Sequence, residues 1–377
     1  MSNRLQALFD EGVSVWVDSL SREMLRSGRL AKWIADDGVR GQTSNPTIFE
    51  GAISKGKDYD PQSKELADQG MHTEAIAWEL MVTDVRAACD VFRPLYDSSG
   101  GTDGFVSLEL HPGYAHETEK SLVQARELWK RVDRPNLMLK VPGTTEGLPV
   151  VEQLLYEGFN INVTLLFSVA RYGEVIEAHQ RALERRHSEG KPLTMASVAS
   201  FFVSRVDSEA DKRLDKLAAQ NPDLGGKISD LRGEIAVANA RLAYALFEKR
   251  YSTERWEKLA AAGARVQRPL WASTSTKNPS YPDTLYVHEL IGAHCVNTMP
   301  VETMDAFRDH GVVAVTLNDE NLVDAKEVLA NLAVLGVDLD DICLNTLVVE
   351  GVKKFYDSYQ SLLAAVEANV RQLQHAS

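Results

Sequence analysis

Cysteine is scarce in this chain. Its 377 residues contain three, Cys89, Cys295 and Cys343, far apart and with no paired spacing. That argues against a disulfide framework and against a cysteine-based zinc site, and leaves them as small buried hydrophobes. Long apolar runs are missing as well. No stretch approaches the roughly 18 apolar residues of a membrane helix, and the opening MSNRLQALFDEGVSVWVDSL has no uninterrupted apolar segment of the kind a secretory leader carries. A cytoplasmic protein with no membrane partner is expected. Positive charge is in deficit: 41 Lys and Arg face 54 Asp and Glu, for a net charge of -13. Such a surface disfavours general binding to nucleic acid or to anionic membranes. Any phosphate the protein grips must be met by a few placed cations. There is no internal repeat and no low-complexity linker.

What is present is alternation. Short apolar runs at 13–18 (VSVWVD), 39–45 (VRGQTSN), 104–110 (GFVSLEL), 137–141 (LMLKV), 160–167 (NINVTLLF), 193–200 (LTMASVAS), 269–274 (PLWAST) and 295–300 (CVNTMP) read as strands. Helix-period segments separate them, such as Ala77, Met81, Val85, Ala88 and Phe92. Strands separated by crossover helices predict an α/β fold, a (β/α)₈ TIM barrel, with a doubly wound open sheet as the alternative. The expected catalytic barrel covers 1–312, with helical insertions around 46–103 and 206–268, the second turning at NPDLGG. Residues 313–377 read as C-terminal helices packed on the barrel as a cap, or as an oligomer contact.

In a barrel the active site forms at the C-terminal ends of the strands. Polar residues recur at that level: Asp18 on the first strand, Asn45 on the second, Glu109 on the third, Lys140 on the fourth, Asn162 and Thr164 on the fifth, Ser200 on the sixth, and STSTKN after the seventh. Lys140 is the residue that needs explaining, because it sits in the apolar run PNLMLKVPG, closed by the Pro142-Gly143 breaker. Leu137, Leu139 and Val141 share one face of that strand, and Met138 and Lys140 the other. Such a lysine snorkels from an edge, plugs the barrel as an ion pair, or is held as an amine nucleophile, since burial disfavours the charged amine. Asp18 and Glu109 are the only carboxylates at this level. Schiff-base chemistry needs an acid to expel water from the carbinolamine and a base to take a hydroxyl proton, so each would have a task.

QTSNPTIFEGAI (42–53), LKVPGTTEGLPVVEQLLYEGFNINVTLLFS (139–168) and the Val-Asp pair of the first strand resemble the transaldolase family, with the long-chain bacterial branch the best fit. The resemblance covers about residues 13–310, and the C-terminal helices look like those of that branch. It implies a transferase of the pentose phosphate pathway that needs no metal or organic cofactor. Lys140 would form the Schiff base, and Asp18 would take the C4 hydroxyl proton of a ketose phosphate. Glu109 and Thr164 would hold a proton-relaying water. Asn45, Asn162 and Ser200 would hydrogen-bond a dihydroxyacetone unit. That unit would pass between sedoheptulose 7-phosphate or fructose 6-phosphate and an aldehyde acceptor, erythrose 4-phosphate or glyceraldehyde 3-phosphate.

SFFVSR (200–205) resembles the family's sixth-strand motif, which implies Phe202 against the substrate and Arg205 on the phosphate. Phe201 stands where that motif has proline, and Ser204 where it has glycine. The family's second phosphate arginine follows the seventh strand. Here the chain reads ASTSTKNP, which makes Lys277 the candidate, with Ser273 beside it. HELIGAH (288–294) lacks the four-residue histidine spacing of a helical zinc motif, and GTTEG (143–147) reads as a turn into a helix capped by Thr144 or Thr145. Trp16, Trp78 and Trp271 read as packing residues. Two rivals share the lysine or the fold: a Schiff-base aldolase that lets water protonate the enamine, and a non-catalytic barrel that senses sugar phosphates. A monomer or a homodimer fits either the cap or the contact reading of the tail.

Overall fold

The computed structural model describes residues 3–375. Eight parallel strands close into a barrel in chain order: β1 (Val13–Asp18), β2 (Gly41–Thr43), β3 (Phe105–Glu109), β4 (Leu137–Pro142), β5 (Ile161–Leu166), β6 (Ser197–Phe202), β7 (Gln267–Ala272) and β8 (Cys295–Met299). β1 pairs with β8 from Val13 to Met299, which rules out the open-sheet alternative. The eight runs fall where the sequence places them, with shifted ends. β2 stops at Thr43 because Asn45 leaves the sheet to cap the helix Pro46–Lys55, its side chain accepting from the Ile48 N–H. β6 begins four residues late, at Ser197. β7 begins early, at Gln267, whose N–H donates to Tyr251 Oη and whose amide donates to Ser197 Oγ.

Residues paired across parallel strands face the same side, so the register fixes what fills the barrel. At its N-terminal end Asp103 meets three donors: Arg40 Nε at 2.6 Å, Arg268 Nη2 at 3.2 Å and Ser14 Oγ at 2.8 Å. Above this plug Trp16 lies opposite Gly41 in register. A Cβ at Gly41 would stand 2.4 Å from the indole, so only glycine leaves room for the ring. Trp16 and Trp271 are fully buried and Trp78 nearly so, as expected of packing residues. The C-terminal layer is polar, with Asp18, Thr43, Glu109, Lys140, Ser200 and Thr298.

The Asp103 plug gives a test of stability. Burial pushes its carboxyl up, but Arg268, Arg40 and Ser14 outweigh burial and hold it below the ordinary range. A lowered folded-state pKa stabilises fully above the unfolded value, about 3.9, and the contribution disappears as pH falls through the folded value. Asp103→Asn would leave two guanidiniums without their charge partner, and is expected to cost about 3 kcal/mol in urea unfolding at neutral pH. The gap to the unsubstituted protein should narrow near pH 3. A gap that does not change with pH would show that the carboxylate charge is not what matters there.

The long connections are helical. Thr73–Ser98 buries Ala77, Met81, Val85, Ala88 and Phe92, and the excursion after β6 contains Ser204–Gln220 and Ile235–Arg250. Beyond β8 the chain forms Val301–His310, Asp319–Val334 and a last helix, Leu347–His375. That last helix packs against Pro46–Lys55. The turn Asp341–Thr346 that leads into it is pinned by Arg213, which pairs with Asp341 at 2.7 Å and donates to Thr346. More than three turns further on Tyr359 accepts from Trp78 Nε1 at 3.0 Å and donates to Glu74 at 2.8 Å. No helix among the described residues is long and apolar enough to cross a membrane. The helix that GTTEG leads into starts at Gly147 with Glu146, not Thr144 or Thr145, at the N-cap position; Thr144 closes the turn before it, its hydroxyl accepting from the Gly147 N–H.

Candidate active site

The mouth at the C-terminal ends of the strands holds a cavity of about 270 Å³. Larger grooves, of about 720 and 730 Å³, lie between helices of the outer shell and include neither Lys140 nor Asp18. Lys140 reaches the mouth cavity from β4 and is 4% exposed. Its Nζ donates to the Ser44 carbonyl at 3.0 Å, lies 3.3 Å from Glu109 Oε2, and stands 6.0 Å from the centre of the Phe355 ring. The Glu109 contact is an ion pair outside hydrogen-bond angles, so Oε2 has no hydrogen-bond partner among the described residues. Register explains the pair: Glu109 and Lys140 are direct partners on β3 and β4.

Asp18 closes the opposite wall. Thr43 Oγ1 donates to Asp18 Oδ1 at 2.6 Å and lies 2.6 Å from Thr298 Oγ1, which fixes one carboxylate oxygen and leaves Oδ2 free. Burial raises the Asp18 pKa against the opposing pull of Lys140, Thr43 and Arg205. Part of the side chain is open, but it opens into the cavity, so it gains little from bulk water. Burial raises Glu109 as well, and Lys140 again opposes. Two carboxyls that burial makes harder to ionise thus flank one amine. That is the equipment of general acid and base catalysis around a nucleophile.

The other sequence candidates divide by position. Asn45, Thr164, Ser200, Phe202, Arg205, Ser273 and Lys277 all line the cavity with Asp18 and Lys140. Glu109 and Asn162 lie behind its wall. Asn162 is the register partner of Lys140 on β5; its Nδ2 donates to Ser107 Oγ at 3.1 Å and its Oδ1 accepts from Ser200 Oγ at 2.6 Å. Thr164 Oγ1 is buried without a hydrogen-bond partner among the described residues. The next residue, Leu165, takes a left-handed backbone (φ 57°) where the β5–β6 register shifts. Strain of roughly 1–3 kcal/mol in a bulge beside the site is tolerated because neighbouring packing over-determines it.

Arg205, in the first turn of Ser204–Gln220, stacks its guanidinium over Phe202 at 5.1 Å and Phe355 at 5.8 Å. The residues that depart from the family motif also have partners. The Ser204 and Ser273 hydroxyls are 2.9 Å apart, and the Ser204 N–H donates to the Ser273 carbonyl, tying the ends of β6 and β7. Phe201 points outward and meets Trp271 edge-on at 6.2 Å. Sequence reasoning missed Thr43, Thr298, Lys354 and Phe355 as lining residues. For the last two a signal existed in Gly351. A glycine inside a helix costs about 1 kcal/mol against alanine and marks a close approach; a Cβ there would lie 2.9 Å from Leu165 Cδ2.

A closed eight-stranded barrel with a buried amine between two carboxyls at the strand ends has the groups that amine-nucleophile catalysis requires. The comparisons with known proteins narrow the class. The transaldolase/fructose-6-phosphate aldolase family matches residues 15–366. A transaldolase of Parafrankia sp. (strain EAN1pec) is 51% identical over 367 residues, covering 97% of this chain and 98% of that one. Transaldolases of Acidothermus cellulolyticus and Mycobacterium tuberculosis are 50% and 49% identical, each over 97% of this chain and 96% and 97% of their own. The chain belongs to the transaldolase/fructose-6-phosphate aldolase family.

Proposed function

We propose that the chain is a transaldolase, a transferase that moves a dihydroxyacetone unit through a Schiff base on Lys140. The observation that carries this reading is the buried Lys140 amine, 3.3 Å from Glu109 and facing a cavity that Asp18 lines. Lys140 Nζ attacks the C2 carbonyl of fructose 6-phosphate or sedoheptulose 7-phosphate. Glu109 supplies the proton that lets the carbinolamine hydroxyl leave as water, through a water held with Thr164. The orphaned Glu109 Oε2 and Thr164 Oγ1 supply the polar partners that such a water needs. Asp18 takes the C4 hydroxyl proton, the C3–C4 bond breaks, and its electrons flow into the iminium to leave an enamine. Glyceraldehyde 3-phosphate or erythrose 4-phosphate is then exchanged in the opposite direction, with Asp18 returning the proton to the new C4 oxygen.

Asn45 caps its helix through Oδ1, which leaves Nδ2 for the three-carbon unit beside Ser200. Asn162 acts on that unit through Ser200, which it orients. Arg205 and Lys277, with Ser273, take the phosphate. The barrel, 1–312, and the C-terminal segment, 313–377, work as one catalytic unit. Three buried free cysteines and phosphorylated substrates fit a cytoplasmic setting.

Borohydride trapping with fructose 6-phosphate, followed by mass mapping around residue 140, tests the reading. A reduced three-carbon adduct on Lys140 that erythrose 4-phosphate discharges is the expected result. Free dihydroxyacetone accumulating without an acceptor would instead make the protein an aldolase, and saturable binding without an adduct would make it a sensor.

A further inference from the structure

The C-terminal helix reaches the site with one face. Gly351 lets it approach Leu165 and Arg205, where a Cβ would stand 3.5 Å from Arg205 Nη1. One turn on, Phe355 covers Lys140 and Arg205, and Ser358 Oγ lies 2.7 Å from Thr47 Oγ1 at the cavity rim. Lys354 lies between these positions and lines the mouth cavity. It also lines a second cavity of about 390 Å³, and the residues common to both are Arg205, Lys277 and Lys354.

These three cations are under-partnered. None has a carboxylate within ion-pair distance among the described residues, although such pairs are frequent elsewhere on the molecule. Among the described residues the Arg205 guanidinium donates no hydrogen bond, and Lys277 donates only to Ser275. Acids act on the neck without closing an ion pair there: Glu209 holds Lys212 and Arg213, Glu350 lines the second cavity and, with Glu109 and Asp18, acts on Arg205 at longer range, and Glu302 and Asp18 act likewise on Lys277. Repulsion from Arg205, then burial, then repulsion from Lys277 lowers the Lys354 pKa. In a chain of net charge -13, three mutually repelling cations that share one neck without an ion-pair partner complement a dianion.

We infer that Lys354 is a third phosphate-binding cation, so that the C-terminal helix carries part of the enzyme's preference for phosphorylated sugars. The inference rests on the transaldolase reading, and its test separates the two. In Lys354→Met the KM for erythrose 4-phosphate should rise about tenfold, as for loss of one charge-assisted contact. kcat should stay within about twofold, as should the KM for unphosphorylated erythrose. Inhibition by inorganic phosphate should weaken by a similar factor, and Lys354→Arg should restore most of it. Equal changes with erythrose and erythrose 4-phosphate, or unchanged phosphate inhibition, would overturn the role of Lys354. Failure of the unsubstituted protein to form the discharged adduct would overturn the transaldolase reading itself.

Discussion

Lys140→Arg should abolish turnover and leave the fold standing. The arginine keeps a basic side chain on the same strand position, facing Glu109 across the β3–β4 register. What it loses is the nucleophile, because a guanidinium keeps its proton at any working pH and has no free electron pair to offer a carbonyl. The expected fall in kcat is on the order of 10⁴-fold or more, the scale of losing a covalent nucleophile. The borohydride-trapped adduct should vanish with it. Fructose 6-phosphate should still bind, because Arg205, Lys277 and Ser273 are untouched. Circular dichroism and a thermal melt would confirm the barrel. Appreciable transfer by a folded Lys140→Arg protein would remove the amine from the mechanism and return Lys140 to the role of a plug. The plug reading makes its own demand: a lysine kept for stability should be replaced by arginine with little effect on rate.

The barrel was legible because each strand is an apolar run bounded by breakers, and because period-2 alternation survives on β4 well enough to put Lys140 opposite Leu139 and Val141. Strand ends were less legible, since they depend on partners distant in sequence. Gln267 starts β7 two residues ahead of Pro269 because Tyr251 and Ser197 meet it there. Of the site, the residues at strand ends were readable one strand at a time, as polar residues at a common level. Asn162 shows the limit of that reading: its residue type suits substrate contact, yet its neighbours Ser107 and Ser200 occupy its amide. For Lys354 and Phe355 the one sequence signal was Gly351, because they come from a helix far along the chain whose charged residues resemble any solvated face. Only closure of that helix onto Leu165 and Arg205 brings them to the mouth.

Asp18→Asn separates the two halves of the reaction. Asparagine keeps the shape and can still accept from Thr43, but it cannot take the C4 hydroxyl proton. Carbinolamine dehydration, which relies on Glu109 and Thr164, should continue. Borohydride should therefore trap an intact six-carbon adduct from fructose 6-phosphate where the unsubstituted protein yields three carbons. The cleavage rate should fall about 10²- to 10⁴-fold, the usual range for a positioned general base. A variant that cleaves at the original rate would move the base to another residue. Stability gives an independent check. Burial raises the folded-state pKa of Asp18, so ionising it costs folding free energy as pH rises above the unfolded value of about 3.9. Asp18→Asn should then melt no lower than the original protein near pH 7, with any advantage fading in acid. A residue that is better replaced for stability and indispensable for cleavage is retained for its chemistry. The same raised pKa sets the acid limb of the rate profile: cleavage should be lost on acidification at a pH above the ordinary aspartate range, while adduct formation, which does not need the Asp18 carboxylate, should not follow that limb.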